Sequence, residues 1–519
     1  ETLTTFSELL LDGEHVVATG TGELAGKHPD ATRVDGRGRT VVPGLIDAHG
    51  HVSGLGFAAE RVDLVDVPSL SAATNAVAAF AAANPDTAWV LGRGWNQVLW
   101  DGDGFPTAAD LDAAVPDRPV WLRRIDGHAG WANTAALAAA GIDETTATPT
   151  GGRILTDADG RPSGVLIDAA MQLVEAVIPP PGDADLERVI SAALARLASR
   201  GVTSVHDAGV PIAETRVYRR LAGRGAMPVR VYAMLAGAGR HLDAFGEPLH
   251  DAGGGFLTIA GVKLYADGAL GSRGAALLAD YSDEPGNRGL LFADTAALAA
   301  DIRKSNAAGF QAAVHAIGDA ANKVVLDAFE RAQGDDAGAL RNRIEHAQIV
   351  RREDLERFAA LEVIASMQPI HATSDKNMAE DRVGPTRILG GYAWRSMLAA
   401  GAVVAAGSDF PVEPENPLFG LHAAVTRKDR GGQPDGGWYP DEALTREQAL
   451  RAFTYHAAYA ARQEGWLGQL AAGMKADFVV LDRDFFTADA DDLWRIRVLE
   501  TWVNGKRVFT AAAERNDAD

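Results

Sequence analysis

With 519 residues, 47% hydrophobic and 23% charged, the chain is long enough for a barrel-sized domain with additions and too apolar to stay disordered. Its 49 Lys and Arg against 70 Asp and Glu give a net charge of −21, which argues against nucleic acid as a partner, because phosphate binding needs basic stripes. Cysteine is absent, so disulfides, thiolate nucleophiles and cysteine-held zinc or iron–sulfur clusters are excluded.

No uninterrupted apolar run of about 18 residues occurs, which argues against a membrane-spanning helix. The start lacks a charged segment followed by an apolar one, so the expected location is the cytoplasm. The first forty residues alternate weakly, with short strands expected at 9–11 and 16–18 around Asp12-Gly13. A series of short apolar strands ending in polar residues follows, at 41–48, 202–207, 229–235, 259–266, 311–316, 343–348, 363–368 and 403–408. Helical segments at 185–200, 295–308, 320–333, 352–361 and 395–400 separate most of them. Strands alternating with helices predict a parallel sheet, and eight strands fit a (β/α)8 barrel, with a doubly wound open sheet as the alternative. Residues 477–481 and 498–503, then Asn504-Gly505 before 507–509, return to short strands and a hairpin signal. Both chain ends therefore suit one small sheet domain.

The stretch between residues 48 and 185 is too long for a structureless loop and predicts an inserted subdomain. It holds an alanine-rich helix at 72–83 and a strand at 119–124. It leaves from the C-terminal end of the first strand, the catalytic face of such barrels, and is placed to form a lid or substrate wall.

Histidines and acids recur at the strand ends. His49 and His51 are two apart, so on a strand both imidazoles face the same side, a spacing that suits a metal clamp. His315, His346 and Asp409 each follow another apolar strand, and one barrel gathers such positions into one pocket. Imidazole and carboxylate together suit Zn2+ and similar ions. Lys263 stands between apolar residues in Gly261-Val262-Lys263-Leu264-Tyr265, where it is either a snorkelling, paired lysine or an amine of depressed pKa able to capture CO2.

These residues resemble the amidohydrolase superfamily, and within it the amidohydrolase-3 (YtcJ-like) metal-dependent hydrolases. The resemblance runs through Val42-Pro43-Gly44-Leu45-Ile46-Asp47-Ala48-His49-Gly50-His51, Asp126-Gly127-His128-Ala129, Lys263 with Asp267-Gly268, and His315-Ala316-Ile317-Gly318-Asp319. It continues in Arg343-Ile344-Glu345-His346-Ala347-Gln348, Gly407-Ser408-Asp409-Phe410-Pro411 and Gly473-Met474-Lys475-Ala476-Asp477-Phe478. It implies a distorted (β/α)8 TIM barrel (43–57 plus 170–465), a small β-sandwich domain built from both termini (1–42 plus 466–519) and an inserted cap (58–169). It also implies one or two divalent ions, zinc by preference. His49, His51 and Asp409 would hold the first, His315 and His346 the second, and an N6-carboxylated Lys263 would bridge. Gly50 inside the His-x-His motif leaves the ligand pattern intact but is expected to loosen the backbone.

Asp409 is the expected general base and acid in hydrolysis of a C–N bond of amide type, including N-acyl and N-formyl compounds. A deaminase, isomerase, decarboxylase or ester/lactone hydrolase on the same metal site remains open, as does a non-catalytic scaffold. His128, Trp131, Asn133, Arg273 and His371 are the candidate substrate contacts, with Asp375 beside them. Against this, tryptophans such as Trp95, Trp100 and Trp131 plug a lid's core more often than they stack on ligand. His206 is expected to support a ligand rather than to be one. A small-molecule substrate and, by analogy with relatives, a homodimer complete the expectation.

Overall fold

Eight apolar segments pair side by side in parallel, in chain order. They are β1 (Leu45–Gly50), β2 (Val202–Val210), β3 (Arg230–Ala236), β4 (Leu257–Tyr265), β5 (Gln311–Ala316), β6 (Arg343–His346), β7 (Ile364–Met367) and β8 (Val404–Ala406). The computed structural model describes residues 3–65, 67–97, 100, 104–125, 129–149, 152–333 and 340–512. The strands are buried almost throughout, as a parallel sheet covered on both faces requires. The helices between them are one-sided. Asp183–Ser199 buries Leu186, Val189, Ile190, Ala193, Leu194 and Leu197, a three-then-four spacing that puts one stripe on the sheet.

β1 and β8 lie at the two ends of this ladder, and the seam between them is closed just beyond β8. The Asp409 amide donates to the His49 carbonyl at 2.7 Å and the His51 amide to the Phe410 carbonyl at 2.8 Å. Asp47, fully buried on β1, accepts from the Ser408 amide at 3.0 Å and the Ser408 hydroxyl at 2.6 Å. This nearly closed, eight-stranded sheet is the expected distorted barrel.

One strand boundary differs from expectation. The run 41–48 is two strands broken at Gly44: Thr40–Pro43 pairs antiparallel with Phe478–Leu481, and β1 enters the barrel. Periodicity alone reads the apolar run as continuous, because the residues are apolar on both sides of Gly44, although only Val42 of the first half is buried while β1 is buried throughout.

Two antiparallel sheets use the chain ends. Glu8–Asp12 pairs with His15–Gly20, and Thr40–Pro43, Phe478–Leu481, Val498–Val503 and Lys506–Thr510 form a four-stranded sheet. The two meet through hydrogen bonds from the Val16 amide to the Met474 carbonyl and from the Gly473 amide to the Val16 carbonyl, each 2.9 Å. At the hairpin Asn504 and Gly505 adopt φ 51° and 65°, and a Cβ on Gly505 would lie 2.0 Å from the Gly13 carbonyl oxygen. A buried pair, Arg230 Nε to Asp477 Oδ2 at 2.7 Å, pins this sheet to the foot of β3.

The chain leaves the barrel unit after Ser53 and returns at Leu186. The intervening unit, Gly54–Asp185, has its own six-stranded mixed sheet and a core of Trp95, Trp100, Trp131, Leu111, Val120 and Leu122. Among the described residues no helix is long and apolar enough to cross a membrane.

Candidate metal centre

Period-two geometry on β1 sends Asp47 and His49 to one side, and His51 follows one step beyond the strand. His49 is fully buried. Its Nδ1 lies 2.5 Å from Glu345 Oε2, and because an ionised carboxylate only accepts, Nδ1 carries the proton and Nε2 the lone pair. His51 repeats the arrangement: Nδ1 donates to the Ala208 carbonyl at 2.9 Å. His346 does so a third time, with Nδ1 donating to Gln368 Oε1 at 2.8 Å while the Gln368 amide donates to the Ser366 carbonyl. Each backing oxygen turns one imidazole lone pair into the pocket.

Asp409 receives them. Its Oδ1 is 3.1 Å from His51 Nε2 and 3.6 Å from His49 Nε2, and its Oδ2 is 3.6 Å from His371 Nε2. Lone pairs facing a carboxylate at these distances need a cation between them, a proton or a metal ion. His49 Nε2, His371 Nε2 and Asp409 Oδ1 are all buried without a hydrogen bond among the described residues, a donor set that suits a metal ion. Among the described residues, two sets of donor atoms fall within 4.8 Å of one another: His49, His51 and Asp409, and His346, His371 and Asp409.

The backbone is bent to make this arrangement. His346 and Asp409 both lie in the left-handed region, φ 74° and 63°, where a non-glycine residue costs about 1 kcal/mol. Gly50, between the two histidines, has a steric role beyond the one expected. It makes room: a Cβ there would meet the Phe410 ring at 2.4 Å.

Charge favours the ligating forms. Burial, then the Lys263 charge, lowers His49 to about 4 and His315 to about 3, and burial holds His346 well below its ordinary value. Burial alone would raise the Asp409 carboxyl, but the imidazoles of His51, His49 and His371 that face it outweigh burial and hold it well below the usual range. Lys263 is 1% exposed on β4, with Nζ 5.1 Å from the centre of the Tyr265 ring. Burial lowers its amine to about 8, partly opposed by Glu345 and Asp409.

The remaining candidates separate. His315 sits beside His346, ring centres 4.6 Å apart, but its Nε2 is turned to the Gly268 carbonyl at 3.5 Å and Asp267 Oδ1 at 3.4 Å. Nδ1 is then its lone-pair nitrogen. His371 was a candidate substrate contact, yet its Nε2 faces Asp409. Trp131 and Asn133 are instead fully buried within the inserted unit. The Trp131 indole donates to the Thr107 carbonyl, and the Asn133 amide group bonds Val115, Arg118, Val120 and Ala136, so neither has a polar atom to offer a substrate. Arg273 is engaged by Asp283 at 2.9 Å and Glu284 at 3.1 Å. Asp375 accepts from Gln348 and Tyr392. His128 lies outside the described residues.

Three participants were missed. Glu345 holds His49 and is itself held by Arg343 Nε at 2.6 Å, while Arg343 also meets His206 Nδ1 at 2.9 Å and the Ala48 carbonyl at 2.8 Å. His206 thus faces Arg343 rather than the pocket. Asp47 and Gln368 are the other two. The available signal was Arg343-x-Glu345, a charged pair at strand spacing inside an otherwise apolar barrel, which has to be paired within the interior.

The family model described as the amidohydrolase family matches residues 32–509. A protein named as an amidohydrolase, YtcJ of Bacillus subtilis, is 33% identical over 511 residues, 96% of this chain and 95% of that one. The N-substituted formamide deformylase of Arthrobacter pascens is 30% identical over 508 residues, 94% and 92% of the two chains. Among solved structures, an uncharacterized metal-dependent hydrolase from Pyrococcus horikoshii superposes with a TM-score of 0.80 at 29% identity, covering 93% of this chain and 95% of that one. With a match across nearly its whole length and relatives aligned end to end, the chain belongs to the amidohydrolase family of hydrolases.

Proposed function

We propose that this protein cleaves the C–N bond of a small amide, of the N-formyl or N-acyl class, with a divalent ion held in the barrel pocket. The observation that carries this reading is the convergence of buried, unpaired lone pairs on His49 Nε2, His371 Nε2 and Asp409 Oδ1. The similarity to an N-substituted formamide deformylase supports the substrate class. Imidazole and carboxylate donors without cysteine favour zinc. A bound ion of this kind lowers the pKa of water from 15.7 to about 7 and polarises a carbonyl.

His49, His51 and Asp409 would hold the first ion. By the family resemblance, Lys263 as a carbamate would bridge to a second on His315 and His346. The lowered Lys263 amine suits that modification: its nitrogen bonds the carbon of CO2 and releases a proton to solvent. Asp409 would take a proton from the attacking water and return it to the leaving nitrogen. Glu345 and Ala208 keep the His49 and His51 lone pairs aimed at the ion.

The test is turnover of N-formyl amides, N-acyl amides, carbamates, esters and lactones by chelator-stripped protein before and after zinc is restored. Amide cleavage that returns with zinc is the expected result. Cleavage confined to esters or lactones, or turnover indifferent to metal, overturns the proposal.

A further inference from the structure

We infer that His346, His371 and the Oδ2 oxygen of Asp409 form a second divalent-cation site that needs nothing from Lys263. The inference rests on the reading of the pocket as a metal centre, and the site shares Asp409 with the first one through the other carboxylate oxygen. Asp409 divides its oxygens: Oδ1 faces His49 and His51, and Oδ2 faces His371 at 3.6 Å. Two ligands 2.0–2.1 Å from a tetrahedral zinc ion lie about 3.4 Å apart. The 3.6 Å separation is therefore what shared coordination asks for, and it is too long for a hydrogen bond.

The other donors are free for it. His371 Nε2 is buried with no hydrogen-bond partner among the described residues. Gln368 fixes the His346 lone pair on Nε2, and the His346 and His371 rings lie 28° from parallel with centres 6.0 Å apart. Two imidazoles and one carboxylate oxygen leave a coordination position open and favour zinc or a similar ion over magnesium or calcium.

This site and one built from carboxylated Lys263, His315 and His346 exclude each other, because His346 has a single free lone pair. Filling the His371 site also occupies the Asp409 oxygen that proton transfer uses. Zinc bound at the His371 site is then inhibitory.

The measurement is bound zinc per chain after equilibrium dialysis in CO2-free buffer, by elemental analysis. It is made on the whole protein, on Lys263→Met, and on His371→Gln and His371→Asn, whichever of the last two folds as judged by circular dichroism. The expected result is two ions for the unsubstituted protein and Lys263→Met, and one for the His371 variants. Loss of inhibition by excess zinc in the His371 variants, each relative to its own maximum, is expected alongside. A Lys263→Met protein that holds one ion, or a His371 variant that holds two, overturns the inference. A single ion in the unsubstituted protein overturns it while leaving the first site standing, and no ion at all overturns both readings.

Discussion

Replacing Lys263 by methionine should stabilise the metal-free protein at neutral pH. The ammonium is buried, and among the described residues it has no ion-pair partner within 4.0 Å. Its amine drops from 10.5 to about 8 mainly because burial penalises the charged form. At about 1.4 kcal/mol per factor of ten, the interval corresponds to about 3 kcal/mol of lost stability. Below pH 8 both the folded and the unfolded lysine are protonated and the full penalty is present. Between pH 8 and 10.5 the unfolded chain binds the proton that the folded chain has already lost, so stability rises with pH until the penalty is gone. Methionine fills a similar volume without charge. Urea denaturation of chelator-treated protein in CO2-free buffer should show a gain for Lys263→Met of up to about 3 kcal/mol at pH 7, shrinking as pH rises from 8 and vanishing only above 10.5. A loss of stability at pH 7, or a gain that does not shrink with pH, would refute the reasoning.

Three further outcomes follow from the contacts around the pocket. Asp409→Asn should keep the first ion on His49 and His51 while turnover falls about 10²–10⁴-fold; unchanged kcat in metal-replete variant protein would remove Asp409 from proton transfer. Glu345→Gln strips the charge that backs His49 and pairs Arg343, both fully buried, and should cost about 3–5 kcal/mol in thermal or chemical unfolding. Chelator competition on the same variant should show zinc affinity lowered about 10–100-fold. Gly50→Ala places a methyl group 2.4 Å from the Phe410 ring and should lower the denaturation midpoint by the equivalent of about 1–3 kcal/mol, against the near-neutral effect expected of a merely flexible glycine.

The alternation of apolar strands and one-sided helices was enough to read the barrel, because a parallel strand buried on both faces has to be apolar along its length. Strand-end polar residues were legible for the same reason. His49, His315, His346 and Asp409 stand out where an apolar run stops, and barrel topology brings such positions to one end. The seam was less visible. That Thr40–Pro43 lies outside the barrel depends on which strand pairs with it, and the apolar residue pattern runs unbroken through the break. For Trp131 the core was already the commoner reading of the sequence, and both Trp131 and Asn133 went to the core, where indole and amide groups find backbone carbonyls.

The sequence by itself determined the family, the barrel, and the inventory of donors: imidazole, carboxylate and one apolar-flanked lysine, with no thiol. Only the tertiary structure decided how those donors are grouped. His371 faces Asp409, Glu345 rather than solvent backs His49, and Gly50 is small because Phe410 passes behind it. The physical reason is that a lone pair's direction depends on what the other ring nitrogen bonds. That partner here lies 22 to 296 positions away along the chain, beyond the reach of any local pattern.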